Sequence, residues 1–163
     1  MFSIFKKKKK QEVITSCISG KIVPIEKVND GVFSAKILGD GVGIYPNEDI
    51  VLSPCDGEIV SVMEETKHAL GIKTSNNMEI LIHVGINTVS MKGLGFDIFV
   101  KPGDKVNKGD KLISFSRTLI KDNNLDDVVI MVVTNSDQFE YLNFKTDIDE
   151  VSSDTIILSL GNK

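Results

Sequence analysis

The chain has 163 residues, 41% of them apolar and 26% charged, with two cysteines and two histidines. Such proportions suit a single globular domain with a buried core, and no apolar run approaches the ~20 residues needed to span a bilayer. The net charge of −4 conceals a basic start: without the five lysines Lys6 to Lys10, the rest of the chain carries −9. An acidic body repels phosphate backbones, which argues against nucleic acid as a ligand and favours a basic protein partner.

Residues 1–15 read as a basic flexible tail and 16–163 as the domain. The tail pairs Met1-Phe2-Ser3-Ile4-Phe5 with the lysine run. It is expected to be solvated, with weak contact to an anionic membrane as the alternative, at up to ~1 kcal/mol per lysine near the surface. No secretory apolar segment follows it, so a cytoplasmic location is expected. Cys17 and Cys55 have no metal-ligand spacing and are expected to be reduced and structural.

From Ser16 onward, short β-type runs alternate with turn residues. The runs are 21–25, 41–46, 58–63, 70–74, 79–84, 97–100, 111–116, 128–134 and 155–160; only 116–125 looks helical. Turns are marked by Asn29-Asp30-Gly31, Gly39-Asp40-Gly41, Asp56-Gly57, Asn76-Asn77, Pro102-Gly103-Asp104 and Gly109-Asp110. Many short strands at this spacing indicate an all-β sandwich or barrel. The two Gly-Asp turns, six residues apart, resemble the strand-turn-strand of barrel-sandwich hybrids in lipoyl and biotinyl carrier domains. The attachment lysine of those carriers would fall near Leu119. No lysine stands there, although Lys121 is close, so a swinging-arm carrier is not expected.

His68 and His83 are the residues suited to acid/base or nucleophilic chemistry near neutral pH. A hairpin with Asn76-Asn77 as a two-residue loop would set Leu70 opposite His83 and His68 opposite Gly85. The two imidazoles would then share a face at ~7 Å between Cβ atoms, while a slip by one residue would separate them. Even positions Met78, Ile80, Ile82 and Val84 would face the core. Gly85, lacking a side chain, would open space beside the rings. Taken alone, the pair fits a structural role, an acid/base pair or a phosphohistidine site; zinc would need a third ligand, and none stands at ligand spacing. For phosphoryl transfer, one neutral imidazole nitrogen can attack while the other ring donates an N–H to the phosphoryl oxygens. Thr66, two residues before His68, could orient that second ring.

Six ordered motifs carry a family resemblance from about Ser19 to the C-terminus. They are Gly20-Lys21-Ile22-Val23, Asp30-Gly31-Val32-Phe33, Lys36-Ile37-Leu38-Gly39-Asp40-Gly41, Pro54-Cys55-Asp56-Gly57, Thr66-Lys67-His68-Ala69 and His83-Val84-Gly85-Ile86-Asn87-Thr88-Val89. In these the chain resembles the glucose-family IIA domain of the bacterial phosphoenolpyruvate-dependent sugar phosphotransferase system. The resemblance implies a flattened antiparallel β-sandwich with at most short helical segments and a shallow histidine site. It further implies that His83 accepts a phosphoryl group from the phosphocarrier HPr and passes it to a cysteine of a IIB domain. By the same match, His68 stabilises the group, Thr66 holds His68, and Asp30, Val32, Phe33, Ile37, Leu38, Leu81, Asn87 and Val89 meet partners.

Asn87 replaces an aspartate common in the family, and the stretch from Gly57 to His68 is one residue longer than usual, which a local bulge would absorb. No cofactor is required for the carrier reading, and a monomer is expected. The alternative is a regulatory binding protein acting on permeases or metabolic enzymes, in which zinc is shared between the two histidines and a partner carboxylate. A zinc hydrolase is the third reading, and it lacks the further ligand motifs.

Overall fold

The computed structural model describes residues 12–160; the lysine run and the apolar residues before it lie outside that range. Apolar runs cut by Gly, Asn, Asp and Pro give short strands. In chain order they are β1 (Val13–Thr15), β2 (Gly20–Pro24), β3 (Asp40–Pro46), β4 (Ile50–Leu52), β5 (Gly57–Val62), β6 (Ala69–Lys73) and β7 (Glu79–Val84). They continue as β8 (Phe96–Ile98), β9 (Lys105–Val106), β10 (Lys111–Phe115), β11 (Val129–Val133), β12 (Leu142–Phe144), β13 (Glu150–Val151) and β14 (Ile156–Leu160). Two short helices, α1 (Gly31–Ser34) and α2 (Arg117–Asp122), interrupt them.

The strands form an eight-stranded sheet in the order β13-β2-β3-β11-β7-β6-β5-β9 and two three-stranded sheets, β1-β14-β12 and β4-β10-β8. All pairings are antiparallel and no sheet closes into a barrel. The flattened all-β sandwich expected from the sequence is the fold observed. All nine expected strands are present with ends shifted by up to two residues, and those not foreseen, β1, β4, β9, β12 and β13, have only two or three residues each. Val13–Thr15, placed in the tail by the sequence, instead pairs with β14.

The main core lies between the sheets. On β7, Ile80, Ile82 and Val84 point into it and are at most 2% exposed, as alternation requires. On β11 both faces are covered, which explains its unbroken Val-Ile-Met-Val-Val run. Val129, Met131 and Val133 enter the main core, while Ile130 and Val132 join a second cluster with Ile25, Val28, Phe33 and Ile86 on the outer face. Cys17 and Cys55 are buried and unpaired, and burial pushes both thiols up to about 12. As inert small apolar groups, they match the expectation.

The hairpin between β6 and β7 corrects the expected register. Its loop has three residues, Ser75 to Asn77, with Asn77 left-handed at φ 64 and Asn77 N–H donating to Thr74 O at 3.0 Å. This is a type I turn closed by a left-handed residue, which asparagine tolerates, rather than a two-residue type I′ turn. Pairing therefore moves by one: Ala69, not Leu70, stands opposite His83. Asn135 secures the loop, accepting from Glu79 N–H at 2.9 Å and donating to Asn77 O at 2.7 Å. Away from the histidines the outer face is charged in strict alternation, Glu79, Lys73, Glu58 and Lys105 being aligned across β7, β6, β5 and β9.

Burial of the even positions on β7 makes Ile82→Ala costly by about 2–5 kcal/mol, read as a lower denaturant midpoint at unchanged slope. Asn77→Gly, which preserves the left-handed turn, should change stability by less than about 1 kcal/mol in the same titration.

Candidate functional site

His83 projects from the outer face of β7 between Ala69 of β6 and Ile130 of β11. His68 lies just before β6, outside the strand, after Lys67 in the left-handed region at φ 56. Strand parity therefore does not govern its direction. His68 O accepts from Val84 N–H at 2.7 Å, and the turn of residues 64–66 before it is closed by Lys67 N–H donating to Met63 O at 2.8 Å. The rings meet edge to face, centroids 4.7 Å apart at 89°. Convergence of the two histidines was foreseen correctly, but on a register that does not occur; the kink at Lys67 compensates for the shift.

Thr66 Oγ1 is 2.8 Å from His68 Nδ1, the contact expected from sequence. Phe33, expected on a docking rim, is instead buried and packs its ring on His83 at 5.1 Å. It is placed there by α1, whose first turn is capped by Asp30: its Oδ1 accepts from Val32 N–H at 2.8 Å and Phe33 N–H at 3.2 Å. The Asp30-Gly31 pair that reads as a simple turn is thus a helix start. Val32, Ile37, Leu38 and Val89 are exposed, Ile37 to 70%, and Leu81 is half-buried beside His83. Exposed Asn87 is left-handed at φ 60, a conformation asparagine accepts readily.

The space expected beside Gly85 is filled. Its φ of +77 and the approach of Thr88 Cγ2 and Asp126 O, at 2.3 and 2.9 Å from where a Cβ would stand, make it a turn residue and not an opening. The opening lies on the other side, a depression of about 260 Å³ lined by residues including Ser61, Met63, His68, Ala69, Leu81 and His83. Ser61, Met63 and Ala69 escaped the sequence reading. The extra residue in the Gly57 to His68 stretch was their signal, because the pairing of β5 with β6 does shift, between Ile59 and Ser61. Among the described residues no group of three or more His, Cys, Asp or Glu side chains could hold a metal. Two ring nitrogens do not complete a zinc sphere, so zinc here would need ligands from a second molecule.

Residues 12–139 match the family model described as phosphoenolpyruvate-dependent sugar phosphotransferase system, EIIA 1. A glucose-specific EIIA component of the phosphotransferase system from Bacillus anthracis is 42% identical over 156 residues, covering 96% of this chain and 94% of that protein. A β-glucoside-specific EIIBCA component from Bacillus subtilis is 40% identical over 151 residues, 93% of this chain but 24% of that protein. The structure of glucose permease IIA from Mycoplasma capricolum superposes with a TM-score of 0.82 at 31% identity, covering 99% of this chain and all of that one.

Burial holds both imidazoles below the ordinary histidine value. For His83 the pKa falls to about 4: burial is the main cause and the neighbouring His68 adds to it, while the Gly85 backbone and Asp30 oppose it. His83 Nδ1 is buried and closes no hydrogen bond. Both rings line the depression. At pH 7 the site is thus a neutral pair. In an NMR titration His83 should show its transition near 4, and His68→Gln should move it upward by removing a like charge. Because the folded value lies below the unfolded 6.5, the unfolded chain binds the proton first as pH falls. Folding stability should therefore drop between about pH 6.5 and 4, and His83→Gln should lessen that drop in thermal melts.

Proposed function

Because the chain belongs to the EIIA family of the phosphoenolpyruvate-dependent sugar phosphotransferase system, and is therefore a phosphocarrier that transfers phosphate through a histidine, we propose that His83 is that histidine. The observation that carries this choice is the unequal placement of the rings. His83 is only partly buried, with Nδ1 the buried nitrogen, which leaves Nε2 to meet a donor, whereas His68 is 4% exposed and tied through Nδ1 to Thr66.

In this reading the donor is the phosphohistidine of HPr and the recipient a IIB cysteine. The name EIIBCA of the Bacillus subtilis relative supports a B-type component as recipient. The lone pair of neutral His83 Nε2 attacks phosphorus in line, the nitrogen–phosphorus bond to HPr breaks, and the leaving imidazole keeps the electron pair. His83 Nδ1 retains its proton. Transfer onward repeats the exchange with sulfur as the attacking atom. Because its pKa lies far below neutrality, His83 needs no deprotonation before it attacks.

Thr66 donates its hydroxyl hydrogen to His68 Nδ1, which fixes the His68 proton on Nε2, the nitrogen facing the depression. That N–H then donates to a phosphoryl oxygen and offsets charge in the transition state. Val32, Ile37, Leu38 and Val89, exposed apolar side chains, are the proposed rim that would exclude water when a partner docks. Asp30, Asn87 and half-buried Leu81 are the remaining proposed partner contacts, Asp30 with one carboxylate oxygen already used by α1. The protein works in the cytoplasm. Family membership favours this carrier reading over a solely regulatory binding protein.

With phosphoenolpyruvate, enzyme I and HPr, the protein should gain one acid-labile phosphate, and His83→Ala should gain none; full labelling of that variant would refute the assignment. His68→Gln should still accept phosphate but pass it to IIB about a hundredfold more slowly. Phosphorylation should raise the His68 pKa, seen by NMR, because a dianion now faces the ring.

A further inference from the structure

Strand β5 runs outward from the core in the usual alternation until Ile59, which is buried opposite Ile72. Val60 is then left without a partner, and the ladder resumes with Ser61 opposite Gly71 and Val62 opposite Leu70. Unbroken alternation would carry Ile59 and Ser61 into the core together and leave Val62 outside. The bulge reverses this: Val62 packs against the main core, and Ser61 joins Val60 on the outer face. Both lie over Gly71, since a Cβ on that glycine would stand 2.6 Å from Ser61 Oγ and 3.3 Å from Val60 Cγ2.

This face is the one that bears His83. Gly71 stands opposite Leu81, Ala69 stands opposite His83, and Ser61 lines the same depression as both imidazoles. Gly71 and Ala69 of β6 contribute little bulk to this part of the face, and Leu81 borders it. Ser61 is exposed, and its hydroxyl forms no hydrogen bond among the described residues, unlike Ser53 and Thr66 on either side of it in the chain. A backbone irregularity thus turns a hydroxyl toward the depression that both imidazoles line, with its hydrogen-bonding capacity uncommitted within the fold.

We propose that Ser61 is a further phosphoryl-binding residue, its hydroxyl donating a hydrogen bond to an oxygen of the group carried on His83. His68 and Ser61 then hold that group from two directions, one from the β6 entry and one from the bulge. Ser61 forms and breaks no covalent bond; the transfer remains the exchange between nitrogen, phosphorus and sulfur already described. Gly71 belongs to the same arrangement, because any side chain there would displace the hydroxyl. The proposal rests on the reading of His83 as the phosphorylated residue.

The test labels wild type, Ser61→Ala and Ser61→Thr from radioactive phosphoenolpyruvate through enzyme I and HPr. It then maps the label, follows hydrolysis of the phosphoprotein and records its phosphorus NMR resonance. Ser61→Ala should take one phosphate on His83, lose it about three- to tenfold faster than wild type and shift the phosphorus resonance. Ser61→Thr, which keeps the hydroxyl, should restore both values. In the unphosphorylated protein the His68 and His83 titrations should be the same in all three, showing that the fold of the site is intact. Wild-type half-life and resonance in Ser61→Ala, with label on His83, would overturn the proposal and leave the carrier reading standing. Label in wild type on a residue other than His83 would overturn both.

Discussion

The site depends on the double pairing of the strand Glu79–Val84, hydrogen-bonded to β6 on one side and β11 on the other. With both ladders formed, its side chains have only two directions available. Ile80, Ile82 and Val84 take the core, each contributing about 1.5–3 kcal/mol relative to exposure. His83 is thereby committed to the opposite face. A slip by one residue would put the imidazole into the core and three aliphatic side chains into water, so the hydrophobic pattern holds a polar residue in position without touching it. His68 is held otherwise, by a kinked loop and a threonine. One ring is fixed by the sheet and the other by its border.

Much of this was legible in the chain. The alternation of residues 79–84 gave the core face of β7 because period-two patterning is strong where one side is fully buried. The six motifs gave the family, and the contact of Thr66 with His68 expected from them is present. What misled was local backbone chemistry. Asn76-Asn77 suggests a two-residue turn, but asparagine also serves as the single left-handed residue of a three-residue loop, and side-chain pattern alone does not separate the two. Gly85 suggests free space, yet its backbone conformation and the packing of Thr88 explain it fully. Phe33 is apolar and adjacent to exposed Val32; only the capped turn of α1 decides which of the two is buried. The strands that went unseen are too short to carry a period.

The electrostatic character of the depression follows from the same placement. In the proposed reading, two imidazoles held below the ordinary histidine value by burial would receive a phosphoryl group in a depression that no lysine or arginine lines among the described residues. On that reading, attraction would come from N–H and O–H donors rather than from a fixed cation. Donors of that kind stabilise a dianion enough to hold it, but less than a buried lysine or arginine would. The only arginine in the chain, Arg117, is engaged far along the sequence with Asp49 and the Pro46 carbonyl, where it ties α2 to the β3–β4 connection.

The two edges of the eight-stranded sheet have a consequence of another kind. Each ends in a strand of only two residues, β13 on one side and β9 on the other. A stub of that length offers too few free amides and carbonyls to recruit an incoming strand. A partner docking on this sheet is therefore met through side chains, in contacts that form and dissolve without rearranging the backbone. For a protein that must receive from one molecule and release to the next, blunt edges favour rapid turnover of encounters over lasting association.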